Sequence, residues 1–325
     1  MPGTLWVIAE AGPDGHLTKL SAEVATLVRG LGASAGRDVA GVVTGARGAV
    51  GAVAAELAAY LPRVVAVEAG AAATSPIALL AAQGAVQAIG DDPAASLFLG
   101  NAPDGRDTAG FLMAALGTGV ISNAGGLTWD GGPVAEKGVF GGRLITTSSF
   151  AEGHGIVTVP LGSVPAEAAT APGVVETITL AGSAPAVTVL ERVSEAAGAV
   201  QIEEAKIIVS GGRGVGGPEG FAIVGQLAEV LGGAVAASRA AVDAGWIPYA
   251  RQVGQTGKIV KPEAYIALGI SGAVQHKVGM QGAHTIVAVN TDPDAPIAEF
   301  ADLFLVGNLF DIVPALIAEL KARKA

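Results

Sequence analysis

Apolar residues fall in short runs separated by longer amphipathic stretches, and this alternation extends over most of the 325 residues. Residues 5–9, 39–44, 64–67 and 97–100 are nearly continuous apolar runs, as expected of strands buried on both faces. Between them, residues 20–31, 50–61, 75–87 and 108–116 are Ala-rich and repeat apolar positions three and four apart. That period predicts helices packed on one side. Short strands joined by single helices predict right-handed βαβ crossovers and a parallel sheet. From 117 to 162 the pattern turns glycine-rich and strand-like, around Trp129-Asp-Gly-Gly-Pro133 and Gly138-Val-Phe-Gly-Gly142, and predicts hairpins at a sheet edge.

The second half restarts the alternation. Strands are predicted at 207–210, 234–237, 265–268, 285–290 and 303–306, and helices at 218–231, 273–280 and 309–323. Pro218 suits a helix start, where its missing N–H costs nothing. The weakly patterned stretch 187–204 carries an acidic patch and predicts a domain boundary. The expected organisation is an N-terminal α/β domain over 1–190, a linker over 191–205 and a C-terminal domain over 206–325. The fold class is α/β with two Rossmann-like parallel-sheet domains, the C-terminal one doubly wound.

Composition narrows the chemistry. With 51% hydrophobic but only 4% aromatic residues, the cores are built from Ala, Val, Leu and Ile. The 48 glycines follow no collagen-like period and read as tight turns and close backbone approaches. Mean hydropathy is +0.54, yet no apolar run reaches the roughly 18 residues of a membrane span. The start, Met1-Pro-Gly-Thr-Leu-Trp6, lacks a basic signal-peptide region, so a cytoplasmic protein that is not membrane-embedded is expected. Zero cysteines exclude disulfides, thiolate ligands and a Cys nucleophile. The four histidines show no metal-ligand spacing, and there is no G-x-S-x-G elbow, so neither a metal site nor a catalytic triad is expected. A net charge of −10 argues against nucleic acid. Within residues 206–277, however, seven Lys/Arg face four Asp/Glu, a local excess that suits an anionic ligand.

That same segment holds the motifs. Gly212-Arg213-Gly214-Val-Gly-Gly217 satisfies G-x-G-x-x-G between a predicted strand and helix, where free N–H groups can face phosphates. A nicotinamide site calls for an acidic residue at the end of the next strand, and this one ends Ala-Ala-Ser238-Arg239. Ser238-Arg239-Ala-Ala-Val-Asp243-Ala-Gly245 offers a hydroxyl donor and a guanidinium, with Asp243 placed to orient Arg239 or cap a short helix. Val253-Gly254-Gln255-Thr256-Gly257 brings an amide, a hydroxyl and free backbone into one turn. Ser271-Gly272-Ala273-Val274-Gln275-His276 opens a helix at a glycine turn and gives His276 an electropositive position. Several such turns at successive strand ends suggest one extended ligand of dinucleotide shape.

In this order, and with Asn290-Thr-Asp292 following, these motifs resemble the FAD domain of the electron transfer flavoprotein alpha subunit, Fix-type relatives included. The resemblance covers the C-terminal 120 residues most closely and the N-terminal half through Leu5-Trp6-Val and the repeated βαβ pattern. It implies an electron carrier rather than an enzyme, with FAD as cofactor and the family's beta subunit as heterodimer partner. Acyl-CoA or other flavin dehydrogenases would donate electrons, as in fatty acid oxidation, and a membrane quinone reductase would accept them. By position, the resemblance sets Arg213 and Ser238 at the FAD diphosphate or near the ring, and Arg239 over the flavin face. Gln255 and Thr256 would hydrogen-bond the ring's O4 and N5 edge, Val253 and Gly254 would be cofactor-binding beside them, and Ser271 to His276 would contact the pyrophosphate and ribityl chain, with His276 near O2. Asn290 belongs to the adenosine end, and Asn308-Leu309 stands where the family usually has an Asp-Leu pair gripping the adenine. One-electron reduction leaves negative charge on N1 and O2, and a cationic Arg239 with a donor at His276 would stabilise it. Two other readings fit the glycine turns alone: an NAD-dependent oxidoreductase, and a non-redox module that binds adenine nucleotide.

Overall fold

A computed structural model describes residues 3–70, 75–139, 144–182, 187–191, 202–203 and 205–324. Two compact units divide the chain, Met1–Val193 and Ser194–Ala325. In the first, β1 (Leu5–Ala9), α1 (Lys19–Ala35), β2 (Val39–Ala46), α2 (Val50–Ala58), β3 (Arg63–Ala69), α3 (Ile77–Ile89), β4 (Ser96–Gly100) and α4 (Pro103–Leu116) alternate. There follow β5 (Val120–Ile121), β6 (Gly126–Trp129), β7 (Pro133–Val139), β8 (Leu144–Ser149), β9 (Ile156–Val159) and β10 (Val174–Thr179).

Seven of these strands form one parallel sheet in the order β10-β3-β2-β1-β4-β9-β5. β1 shows why its run is apolar throughout. Leu5, Val7 and Ala9 pack with Val24, Val28 and Leu57 on one face, while Trp6 and Ile8 pack with Ala81, Ala85 and Leu112 on the other. Both faces are covered by helices, so a period of two is hidden within a continuous hydrophobic run. Each such fully buried Val, Leu or Ile contributes about 1.5–3 kcal/mol.

The hairpin expectation over 117–162 holds for part of that stretch. β6, β7 and β8 form a separate three-stranded antiparallel sheet. Ile156–Val159 instead enters the parallel sheet between β4 and β5, fully buried. α4 begins at Pro103, five residues before the predicted start, with Pro at its first position and Asp104 in its first turn. Both residues suit a helix N-terminus.

The second unit contains β11 (Ile207–Gly211), α5 (Phe221–Leu231), β12 (Ala234–Ser238), α6 (Arg239–Asp243), β13 (Gln252–Val253), β14 (Ala264–Leu268), α7 (Val274–Met280), β15 (Thr285–Asn290), β16 (Leu303–Val306) and α8 (Leu309–Lys324). Its six-stranded parallel sheet runs β13-β12-β11-β14-β15-β16. The order reverses between β11 and β14, which makes that junction the switch point where doubly wound sheets bind ligands. Alternation again splits the core: Ile208, Tyr265 and Ala267 face Met280 and Ile297, whereas Val209, Ile266 and Leu268 face Val224, Leu227 and Val313. Among the described residues no helix is long and apolar enough to cross a membrane.

Candidate functional site

The carboxyl ends of β11 through β15 open on one cavity of about 670 Å³. The switch point forms its floor, where the loops after β11 and β14 interlock. Gly214 N–H donates to the Gly269 carbonyl at 2.9 Å. Gly269 has φ +61°, and a Cβ there would lie 2.6 Å from the Gly214 Cα. Only glycine permits both the conformation and the approach. The helix expected to start at Pro218 begins at Phe221, after a 3-10 turn at Arg213–Val215. Of the G-x-G-x-x-G residues, Arg213 and Gly214 line the cavity, while Gly216 and Gly217 do not.

From β12 come Ser238 and Arg239. Ser238 precedes α6 in an extended conformation, yet its hydroxyl makes no capping bond, which leaves it available to the cavity. Arg239 Nε donates to Asp243 Oδ2 at 3.1 Å, both side chains being more than half exposed. Such a pair adds little stability, and its effect here is to aim the guanidinium.

Val253 to Thr256 form a turn seated on the start of α7, with Gln255 N–H donating to the Gln275 carbonyl at 2.7 Å. Thr256 is gripped twice. Its carbonyl accepts from the Tyr249 hydroxyl at 2.5 Å, and its Oγ1 accepts from Gln252 Nε2 at 3.1 Å. Because that oxygen is accepting, the hydroxyl hydrogen is free to donate into the cavity.

His276, in the first turn of α7, is 6% exposed. Its Nε2 lies 3.0 Å from the Tyr265 hydroxyl, and burial lowers its pKa to about 4, the Val253 carbonyl acting in the opposite sense. The ring is therefore neutral at pH 7, a hydrogen-bonding group rather than a cation. Its Nδ1 makes no hydrogen bond of standard geometry.

Ser271, Ala273, Gln275 and Asn290 also line the cavity, and Asn290 is steadied by its Nδ2 donating to the Ile270 carbonyl at 3.0 Å. Four expected site residues do not line it. Val274 is exposed, and Gly272 holds its loop against Ile297. Asn308 caps α8, its Oδ1 accepting from Phe310 N–H at 3.0 Å, and Leu309 is buried in the core with Val313. The sequence reading passed over Gly269, Ile270 and Ala295, and gave no role to Asp292; all four line the cavity from strand-end loops. It also passed over Tyr249, Gln252 and Tyr265, which hold lining residues from behind.

The cavity is elongated across five strand ends and offers two guanidiniums, several hydroxyl and amide donors, an unpartnered imidazole nitrogen and a glycine floor that admits close backbone approach. This donor set fits an anionic dinucleotide such as FAD. Among the described residues no group of His, Cys, Asp and Glu could hold a metal ion.

Comparison with known proteins agrees. Residues 201–281 match the electron transfer flavoprotein FAD-binding domain, and residues 5–185 match the electron transfer flavoprotein domain. The chain is 40% identical over 316 residues to the electron transfer flavoprotein subunit alpha of Mycobacterium leprae, covering 96% of each. It is 36% identical over 335 residues to that of Syntrophomonas wolfei, covering 99% of this chain and all of the relative. Protein FixB of Clostridium saccharobutylicum is 42% identical over 242 residues, 69% of this chain and 70% of its own length. The chain thus belongs to the electron transfer flavoprotein alpha-subunit family, and its C-terminal unit carries that family's FAD-binding domain.

Proposed function

We propose that the cavity at the carboxyl ends of β11 to β15 holds one FAD. With the family's beta subunit, the chain would then carry electrons from flavin dehydrogenases, acyl-CoA dehydrogenases among them, to a membrane quinone reductase. The observation that carries this reading is the gathering of Arg213, Ser238, Arg239, Gln255, Thr256 and His276 around one cavity. Bound FAD supplies the redox chemistry, and the residues bind and tune it.

Arg239, aimed by Asp243, would lie over the ring and favour added negative charge. Thr256 would donate its hydroxyl to the N5 and O4 edge, with Gln255 beside it, and His276 would donate near O2. Arg213, Ser238 and the 271–276 loop hold the diphosphate and ribityl chain, and Asn290 the adenosine end. Asn308 gives its Oδ1 to the α8 cap, so its contact with the adenine would be made by Nδ2, with Leu309 beside it. β12 ends without the acid that a nicotinamide site uses to hold its ribose, and Asp243 further on pairs with Arg239 at 3.1 Å, which weighs against the NAD reading. The N-terminal unit serves as scaffold and subunit contact, and the carrier works in the cytoplasm.

The test is the visible spectrum of the chain purified with its beta partner, followed by stepwise photoreduction. Flavin bands released by acid as FAD, with electrons taken up one at a time, are the expected result. A colourless complex that FAD cannot reconstitute overturns the reading.

A further inference from the structure

Behind the cavity, a line of buried polar groups runs from β11 through β14 to α7. Ser210 and Tyr265 are both fully buried, and His276 is nearly so. The Tyr265 hydroxyl and His276 Nε2 are 3.0 Å apart, with the two rings tilted by 59°. Burial pushes the phenol's pKa upward, so the phenol keeps its hydrogen at any ordinary pH.

The direction of each hydrogen follows from what its neighbours can accept. Ser210 Oγ makes no hydrogen bond of standard geometry, and among the described residues the phenol has one hydrogen-bond partner, so His276 Nε2 is the acceptor for the phenol hydrogen. An Nε2 that accepts carries no hydrogen, so the hydrogen of a neutral imidazole sits on Nδ1. Yet Nδ1 makes no hydrogen bond of standard geometry within the protein, and His276 lines the cavity. A buried donor left in that state costs free energy until something accepts from it.

We propose that Tyr265 is a positioning residue for the bound cofactor: its hydroxyl donates to Nε2, fixes His276 as the Nδ1–H tautomer and so presents a polarised neutral donor to the anionic edge of the ring. This rests on the placement of His276 near O2 given above. A hydroxyl donating at Nε2 draws electron density from the imidazole and strengthens donation at Nδ1. A neutral donor of this kind responds to charge developing on the ring while keeping its own protonation constant through neutral pH.

The deciding measurement is nitrogen-15 NMR of the histidine-labelled, FAD-loaded complex with the beta partner, with the His276 signals identified by their loss in His276→Gln. At pH 7 we expect a neutral ring with hydrogen on Nδ1 and a bare Nε2, and hydrogen on Nε2 instead overturns the proposal. In Tyr265→Phe the Nδ1–H form should fall below half of the ring population. The equilibrium constant for adding the first electron to the flavin should fall roughly tenfold. A tautomer unchanged in Tyr265→Phe also overturns the proposal, while the FAD reading stands on the flavin spectrum. A tautomer that responds with no change in electron uptake has a different meaning. It removes His276 from the ring's charged edge, and the role of Tyr265 toward the cofactor goes with it.

Discussion

Gln252 and Thr256 grip each other across a single turn: Nε2 of the buried amide stands 3.1 Å from the Thr256 Oγ1. The contact sets which way a cavity hydroxyl can point. Gln252→Leu keeps the bulk and removes the donor, so Thr256 becomes free to turn its hydrogen away from the cavity. The loss should be about 1 kcal/mol of stability, a fall of roughly 2–4 °C in Tm, with weaker FAD retention. Thermal unfolding and equilibrium dialysis of FAD check this, and a variant matching the parent in both would leave Gln252 without the role.

Arg239 is more than half exposed and contributes little to stability. Arg239→Ala should leave FAD bound while lowering the potential for the first electron by about 60 mV, a tenfold change in that equilibrium. Arg239→Lys keeps the charge but loses the planar fork, and should fall between the two. Spectroelectrochemical titration reads the difference, and an unchanged potential in the alanine variant would remove Arg239 from the ring.

Gly269 and Gly232 have nearly the same backbone, φ +61° and +67°, in different surroundings. A Cβ at 232 meets nothing within 4 Å, whereas at 269 it lies 2.6 Å from the Gly214 Cα. Gly232→Ala should therefore cost about 1 kcal/mol, the left-handed conformation alone. Gly269→Ala should cost about 3 kcal/mol and shed FAD on gel filtration, because it pries the switch-point loops apart. Equal costs at the two positions would show that the close approach does not matter.

Glu10, at the end of β1, has its pKa raised from 4.5 to about 7 by burial and by Asp104. Its Oε1 has no hydrogen-bond partner and sits 2.7 Å from where a Cβ of Gly105 would be. Below pH 4.5 the carboxyl is protonated whether the chain is folded or not, and it costs nothing. As pH rises toward 7 the unfolded form ionises first, so stability falls; above 7 the full cost, up to about 3 kcal/mol, is present. Glu10→Gln should then be more stable than the parent at pH 8 and equal to it at pH 4, as measured by denaturant unfolding at each pH. A stability gap that does not change with pH would rule out titration of Glu10 as its source.

Strands sandwiched between two layers of helices announce themselves as unbroken apolar runs, which is why β1, β4, β11 and β14 were legible. Others carry no such signal. β13 is two residues long, and β10 reads Val-Val-Glu-Thr-Ile-Thr with most of its residues exposed. β9 is buried like β1, but it lies in a glycine-rich stretch whose local pattern argues for hairpins. In the site, polar residues just after strand ends stood out against their apolar surroundings. Tyr265 and Gln252 did not, because Tyr265 lies in a strand that reads as core and Gln252 in one too short to read. Their value comes from partners eleven and four residues away that only the folded chain brings close. Asn308 adds a second duty that the pattern hides: a polar residue after a strand whose Oδ1 caps the next helix.

Most of the cavity is made of loops, while the strands behind it supply packing, so loop and core can vary separately. Tyr265 breaks that separation. Its ring packs in the cluster with Ala236, Val253 and Met280, and its hydroxyl reaches a cavity residue. A substitution at Ala236 or Met280 that tips this ring by a fraction of an ångström would alter how far the phenol extends toward the imidazole. In this part of the molecule, a change in how hydrocarbon is packed would register as a change in voltage.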